Sequence, residues 1–311
     1  MKIKNTNCTK CGNPKTDDRS WCKDCRSKYL KEYRKNNAEK CKKLAQRWNS
    51  ENKEYITEFK YKKRGTFHGR MVETCRLARR RAARKGMEYN LTVEFLEDMW
   101  NKQNGKCALT GLPMIIPVDR NDGKTLPFTP SIDKIDVKKG YTKDNVRLLC
   151  HVVNSALNEY GDETFDKIAK AYVLGIMPVI KEEPRIEPPD PNRKWDTKYR
   201  EGKTGTVQFL YMKSKKRAEE EYKVEFKITK EFISKLLDSG KCAITNIPIR
   251  YELNKSGLNP FRPSLDRIDS TKGYTEDNIR IVCIAANYAL NEFGIDIFDK
   301  ICKTYLENKN T

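Results

Sequence analysis

An internal repeat limits most strongly what this chain can fold into. The stretch that opens Pro130-Ser-Ile-Asp133-Lys134-Ile-Asp136 and runs through Gly161 recurs without a gap as Pro263-Ser-Leu-Asp266-Arg267-Ile-Asp269 through Gly294. Self-similarity at one fixed large offset means that a single folded unit is present twice. Upstream, Gly105-Lys-Cys107-Ala-Leu-Thr pairs with Gly240-Lys-Cys242-Ala-Ile-Thr, and each lies behind an amphipathic helix predicted over Thr92–Gln103 and Thr229–Ser239. Within the first copy the pattern predicts a strand over Ser131–Asp136, a turn at Gly140, a strand over Val146–Cys150 and a helix from about His151 to Glu159, with Gly161 as its C-cap. The order is ββα.

At 311 residues the chain exceeds what one core usually organises, so several domains are expected. Prolines at 178, 184, 188, 189 and 191 forbid regular structure and predict an extended linker over 178–204. It divides a first repeat domain, 66–177, from a second, 205–311. The class predicted is α+β.

Ahead of the repeats stand Cys8-Thr-Lys-Cys11 and Cys22-Lys-Asp-Cys25, two knuckles spaced to hold one tetrahedral Zn²⁺, with Gly12 free to take a positive φ. A ribbon of 1–30 has no core of its own, so the metal would supply its folding energy. The chain has eleven cysteines and no apolar run after Met1, so they are expected to be thiols and metal ligands in an intracellular protein, not disulfides. No stretch is long and apolar enough to predict a membrane span.

The formal charge is +20, from 63 Lys and Arg against 43 Asp and Glu, which points to a polyanionic partner, DNA first and RNA second, and away from membranes. From Ser27 to Lys63 the chain lacks Pro and Gly and spaces Tyr29, Tyr33, Trp48, Tyr55, Phe59 and Tyr61 among charges. This predicts one or two basic helices in a connector over 31–65, either tracking phosphates or simply solvated. A helix over Met71–Lys85, stopped by Gly86, carries Arg76, Arg79, Arg80, Arg81 and Arg84 and favours contact with nucleic acid.

Comparing the two copies shows which polar residues stayed fixed while their neighbours diverged. Both Asp residues, the Gly-Tyr turn, the Asp-Asn pair, the Arg and both helix Asn residues are identical. Asn154 and Asn158 are four apart, so on one helix they share a face, which is expected to meet the strand carrying Asp133. Asp133 with Asn154 and Asn158, and Asp266 with Asn287 and Asn291, are hard-oxygen donors suited to Mg²⁺ or Mn²⁺. Asx residues also cap helices and close turns, and Asn145 and Asn278, between the strands, are expected to do that.

These motifs resemble the HNH (ββα-metal) endonucleases of phage and mobile-element type. The resemblance covers both repeats well and residues 5 to 60 loosely. It implies a metal-dependent enzyme that hydrolyses phosphodiester bonds, with Asp133, Asn145 and Asn154, and Asp266, Asn278 and Asn287, at the family's site positions. Asn158 and Asn291 match a further helix position used by some members. The family's general-base histidine is replaced here by Lys134 and Arg267, neither of which accepts a proton near neutral pH. Three outcomes are compatible with that replacement. Asp136 and Asp269 act as bases while Lys134 and Arg267 steady the phosphorane; a metal-bound water reacts without a protein base; or both repeats are inactive relatives that grip nucleic acid. Cys107 with Cys150, and Cys242 with Cys283, fall short of the family's second zinc site and are expected to be small core residues.

Overall fold

The computed structural model describes residues 6–14, 19–116, 126–180, 202–252 and 259–309. It is α+β and divides into two compact units, 1–63 and 64–311. Most of the linker expected over 178–204 lies outside the described residues.

The first unit holds the cysteine knuckles and three helices, α1 (Lys23–Asn36), α2 (Ala38–Glu51) and α3 (Lys53–Arg64). Neither α1 nor α2 has a buried residue. Tyr29, Tyr33, Trp48, Tyr55 and Phe59 all stand exposed, so these helices are not held by a core of their own.

The second unit contains both repeats around one continuous apolar cluster, where the linker predicts separate domains. The first repeat runs α4 (Phe67–Lys85), α5 (Val93–Lys102), β1 (Pro130–Lys134), β2 (Val146–Cys150), α6 (His151–Leu157) and α7 (Gly161–Leu174). The second runs α8 (Lys203–Lys216), a π-helical turn (Arg217–Tyr222), α9 (Lys230–Leu236), β3 (Pro263–Arg267), β4 (Ile279–Cys283), α10 (Ile284–Leu290) and α11 (Gly294–Lys309). Thr66, Thr92 and Thr229 cap α4, α5 and α9 by accepting backbone N–H groups. Gly86 ends α4 with a left-handed φ of 62°.

Each pair of strands is antiparallel, with Asp133 opposite Arg147 and Asp266 opposite Arg280. The first strand stops at Lys134, two residues short of the expectation, because Asp136 already belongs to the turn. The expected C-cap is also corrected. α6 ends at Leu157, where Asn158 turns at φ 45°, and Gly161 instead opens α7, a helix the local pattern does not disclose. Asn291 ends α10 in the same way at φ 50°.

The repeats pack about a local two-fold relation. Phe165 meets Tyr305 edge-on at 5.0 Å, and its counterpart Phe298 meets Tyr172 at 4.8 Å. Tyr172 Oη donates to Asp299, while Tyr305 Oη reaches Asp166. Such reciprocal contacts define an isologous interface, here formed inside one chain.

Candidate functional site

The N-terminal knuckle is a tight hairpin. Cys8 N–H donates to Asn13 O, Gly12 N–H returns to Cys8 O, both at 2.8 Å, and Asn7 bridges Pro14. Gly12 takes φ 74°, a conformation that favours glycine. Cys22 caps α1, its sulfur accepting the Cys25 N–H, and the Cys8 sulfur accepts the Lys10 N–H at 3.4 Å. Burial raises the Cys8 thiol, but hydrogen bonds with the Cys22, Lys10 and Cys11 backbones outweigh it and bring the thiol to about 6. All four sulfurs lie within 4.8 Å of one another. The Cys11–Cys22 separation is 3.7 Å, close to the roughly 3.8 Å edge of a tetrahedron with zinc–sulfur bonds of about 2.3 Å. The cluster could bind zinc. Among the described residues it is the one group of three or more His, Cys, Asp or Glu side chains spaced for a metal.

The same hairpin is built twice more. Cys8-Thr-Lys-Cys-Gly-Asn-Pro14 has counterparts in Cys107-Ala-Leu-Thr-Gly-Leu-Pro113 and Cys242-Ala-Ile-Thr-Asn-Ile-Pro248. Cys107 N–H donates to Leu112 O and Gly111 N–H to Cys107 O, at 2.8 and 2.9 Å, while Cys242 with Ile247 and Asn246 with Cys242 repeat the pattern at 2.9 and 3.0 Å. Lys106–Pro113 and Lys241–Pro248 bridges close both, and Gly111 and Asn246 turn at φ 66° and 56°. Thr110 and Thr245 stand where the second cysteine would be. Cys150 and Cys283 precede α6 and α10 as Cys22 precedes α1, with Val153 and Ala286 at the Cys25 position. Each repeat therefore keeps two of four thiols, buried in an apolar core. The hydrogen bond with Cys107, together with burial, holds the Cys150 thiol above its ordinary value. This placement agrees with the expectation that these cysteines are core residues. Cysteine spacing alone does not reveal the shared knuckle; its signal is the Cys-x-x-Cys/Thr-Gly/Asn-x-Pro pattern.

Asn145 lies between the strands and closes the turn. Its Oδ1 accepts the Asp136 N–H at 2.9 Å, and its Nδ2 donates to Asp136 O and Gly140 O at 3.0 and 2.9 Å. Asn278 makes the same three bonds to Asp269 and Gly273. Asp136 accepts the Lys138 N–H, and Asp269 accepts the Thr271 N–H and hydroxyl. Lys134 is also engaged in the turn, donating to the Val137 and Lys139 carbonyls beside the Tyr141 ring. Arg267 donates to Lys272 O and stacks on Tyr222 and Tyr274. The cation that follows each strand aspartate thus closes a turn in both copies. The Gly-Tyr step is fixed because a Cβ at Gly140 or Gly273 would lie 2.4 Å from the carbonyl oxygen of Glu88 or Glu225. Those same carbonyls accept the Tyr141 and Tyr274 N–H groups.

Asp133 is buried and accepts Arg147 Nε at 2.8 Å, while the rest of that guanidinium holds Asp162. Burial pushes the Asp133 carboxyl above its ordinary value against the pull of Arg147. Asp266 accepts Arg280 Nε at 2.7 Å, with Ile295 standing where Asp162 would be. Asn154 Nδ2 donates to Ser131 Oγ and Ile132 O, and Asn287 does the same to Ser264 and Leu265, so both side chains tie helix to strand. Asn158 and Asn291 are exposed C-cap residues, their N–H groups donating to Asn154 O and Asn287 O. A guanidinium on one oxygen of each aspartate disfavours a second cation there, so these donors hold Mg²⁺ or Mn²⁺ less readily than an unpaired carboxylate would.

On α4, Arg76 is held bidentately by Glu73. Arg79, Arg80, Arg81 and Arg84 are exposed, and among the described residues none of the four has an ion-pair partner. Among the described residues no helix is long and apolar enough to cross a membrane. No family model, no curated protein and no solved structure matches the chain.

Proposed function

We propose that the chain is a nucleic-acid-binding protein, with DNA as the first partner and RNA the second, whose two ββα repeats are HNH-derived scaffolds behind a zinc-holding knuckle. The observation that carries this reading is α4, which presents four arginines to solvent with no carboxylate paired to them among the described residues. Planar guanidinium groups on a rigid helix suit phosphate oxygens. The aromatic and basic residues exposed on α1, α2 and α3 add stacking and charged surface of the kind that single strands and backbones accept.

A second reading, a metal-dependent HNH-type endonuclease that nicks or cleaves DNA, is favoured by the identical Asp133–Asn154 and Asp266–Asn287 placements on adjoining elements of both repeats. It requires a metal to bind beside the arginine that each aspartate already engages through one carboxylate oxygen.

The test is incubation of purified protein with supercoiled plasmid in Mg²⁺, Mn²⁺ and EDTA, alongside an Asp133→Asn, Asp266→Asn double variant. Asparagine keeps the shape of the buried side chain where alanine would open it. Salt-sensitive gel shifts with intact plasmid in every condition are expected. Metal-dependent nicking that the double variant loses would instead establish the second reading, and absence of any shift would remove both.

A further inference from the structure

The repeat extends farther upstream than the strands and turns. Thr66 and Gly202 cap α4 and α8. Met71, Thr74, Ala78 and Ala82 on the first helix and Val207, Leu210, Ser214 and Ala218 on the second are buried at one constant offset. Gly86 and Lys223 both end their segments in left-handed conformations, one position out of step because the π-helical turn adds a residue. This correspondence places Arg79-Arg80-Arg81 on Lys215-Lys216-Arg217, so the same cationic triplet occupies the same place in both repeats.

Beyond the triplet the charge is inverted. Repeat 1 continues Ala83-Arg84-Lys85, whereas repeat 2 continues Glu219-Glu220-Glu221. Each glutamate lies four residues after a cation and reaches it: Lys215–Glu219 and Lys216–Glu220 at 3.8 Å, and Arg217–Glu221 at 3.9 Å. Helix stability accounts for only a small part of this. Acidic residues near a helix C-terminus oppose its dipole, and Lys-to-Glu is the weaker order for an i,i+4 pair. Their effect on the field is large, because each glutamate lies well inside a Debye length of about 8–10 Å from its cation, so their potentials largely cancel where a phosphate would approach.

We infer that the two repeats bind a phosphate backbone asymmetrically: α4 grips it, and the matching face of α8 is masked by its own glutamates. This rests on the nucleic-acid-binding reading and names which surface does the binding. Of the two matching helices in the pseudo-symmetric pair of repeats, α4 alone thereby offers its cations to a phosphate backbone.

Fluorescence anisotropy of the full chain with a labelled DNA duplex, titrated with salt, tests it through three triple variants. All substituted side chains are exposed or half-buried at the surface, and thermal melts check that each variant folds. Arg79→Ala, Arg80→Ala, Arg81→Ala is expected to weaken binding at least tenfold and to flatten the log affinity against log salt slope by roughly 0.9 per lost contact. Lys215→Ala, Lys216→Ala, Arg217→Ala is expected to change affinity less than twofold. Glu219→Gln, Glu220→Gln, Glu221→Gln unmasks the second face and is expected to strengthen binding several-fold with a steeper slope. Equal losses from the two cation triplets, or unchanged binding by the glutamine variant, would overturn the asymmetry while leaving nucleic-acid binding in place. A wild-type chain that binds no duplex removes both.

Discussion

At the scale of single residues, most polar side chains that the two copies share are tied into hydrogen bonds or ion pairs of the fold. Asp133 and Asp266 illustrate how near-identical sites differ in energy. Both are buried opposite an arginine on the neighbouring strand, but Arg147 has a second carboxylate in Asp162, whereas among the described residues Arg280 pairs with Asp266 alone. Removing one member of a buried pair strands the other, at a cost of about 3–5 kcal/mol. Asp266→Ala is therefore expected to lose stability in that range, and Asp133→Ala clearly less, because Asp162 keeps Arg147 paired. Urea unfolding of the two variants reads the order, and a larger loss at Asp133 would contradict this assignment of partners. The turn asparagine offers a second test. Asn145→Asp retains the acceptor for the Asp136 N–H but loses both donated bonds, leaving the Asp136 and Gly140 carbonyls facing a carboxylate. A loss of about 1–3 kcal/mol is expected from the unsatisfied acceptors, seen as a lower urea midpoint.

At the scale of elements, legibility depended on whether a signal was local. The ββα order, the second strand Val146–Cys150 and the α4 stop at Gly86 could be read directly, because a short apolar run and a left-handed glycine act within a few residues. The end of α6 could not. Asn158 and Gly161 both tolerate positive φ, and only the packing of α7 decides which of them breaks the helix. For the same reason Asn158, expected within the helix, stands at its C-cap. The threefold knuckle is hidden differently, since a search for cysteine pairs passes over a hairpin whose second ligand has become threonine. In the N-terminal copy four sulfurs converge, whereas in the repeats Val153 and Ala286 are fully buried where the fourth would stand. Native mass spectrometry is accordingly expected to find one zinc per chain, lost on Cys11→Ser and unaffected by Cys107→Ser or Cys242→Ser. Two or three zinc ions per chain would mean that the repeat knuckles still hold metal.

At the scale of the whole molecule, the duplication was plain in the sequence and the union of its copies was not. A proline-rich segment between two repeats reads as a spacer between independent domains, and nothing in Phe165, Tyr172, Phe298 or Tyr305 distinguishes an interface aromatic from an ordinary core residue. In the structure these four form two reciprocal edge-on pairs, joined by the Tyr172–Asp299 and Tyr305–Asp166 contacts and by Lys309 to Asp166 at 2.7 Å. Phe165 and Phe298 are 2% and 0% exposed. Burying one such aromatic side chain contributes roughly 1.5–3 kcal/mol. Fully buried Val152, Val153, Ala286 and Ala289 from the facing short helices extend the same apolar cluster. An interface of this kind resembles a domain core cut in half, which is expected to hold without the covalent connection. A protease site introduced between Pro184 and Pro191, once cleaved, should therefore leave the two halves eluting as a single species under native conditions and separating only in denaturant. Tyr172→Ala combined with Tyr305→Ala, which deletes one ring from each reciprocal pair, should release them after cleavage while the uncleaved variant stays folded. Halves that part on cleavage of the wild-type sequence would show that the linker, and not the two-fold interface, unites the repeats.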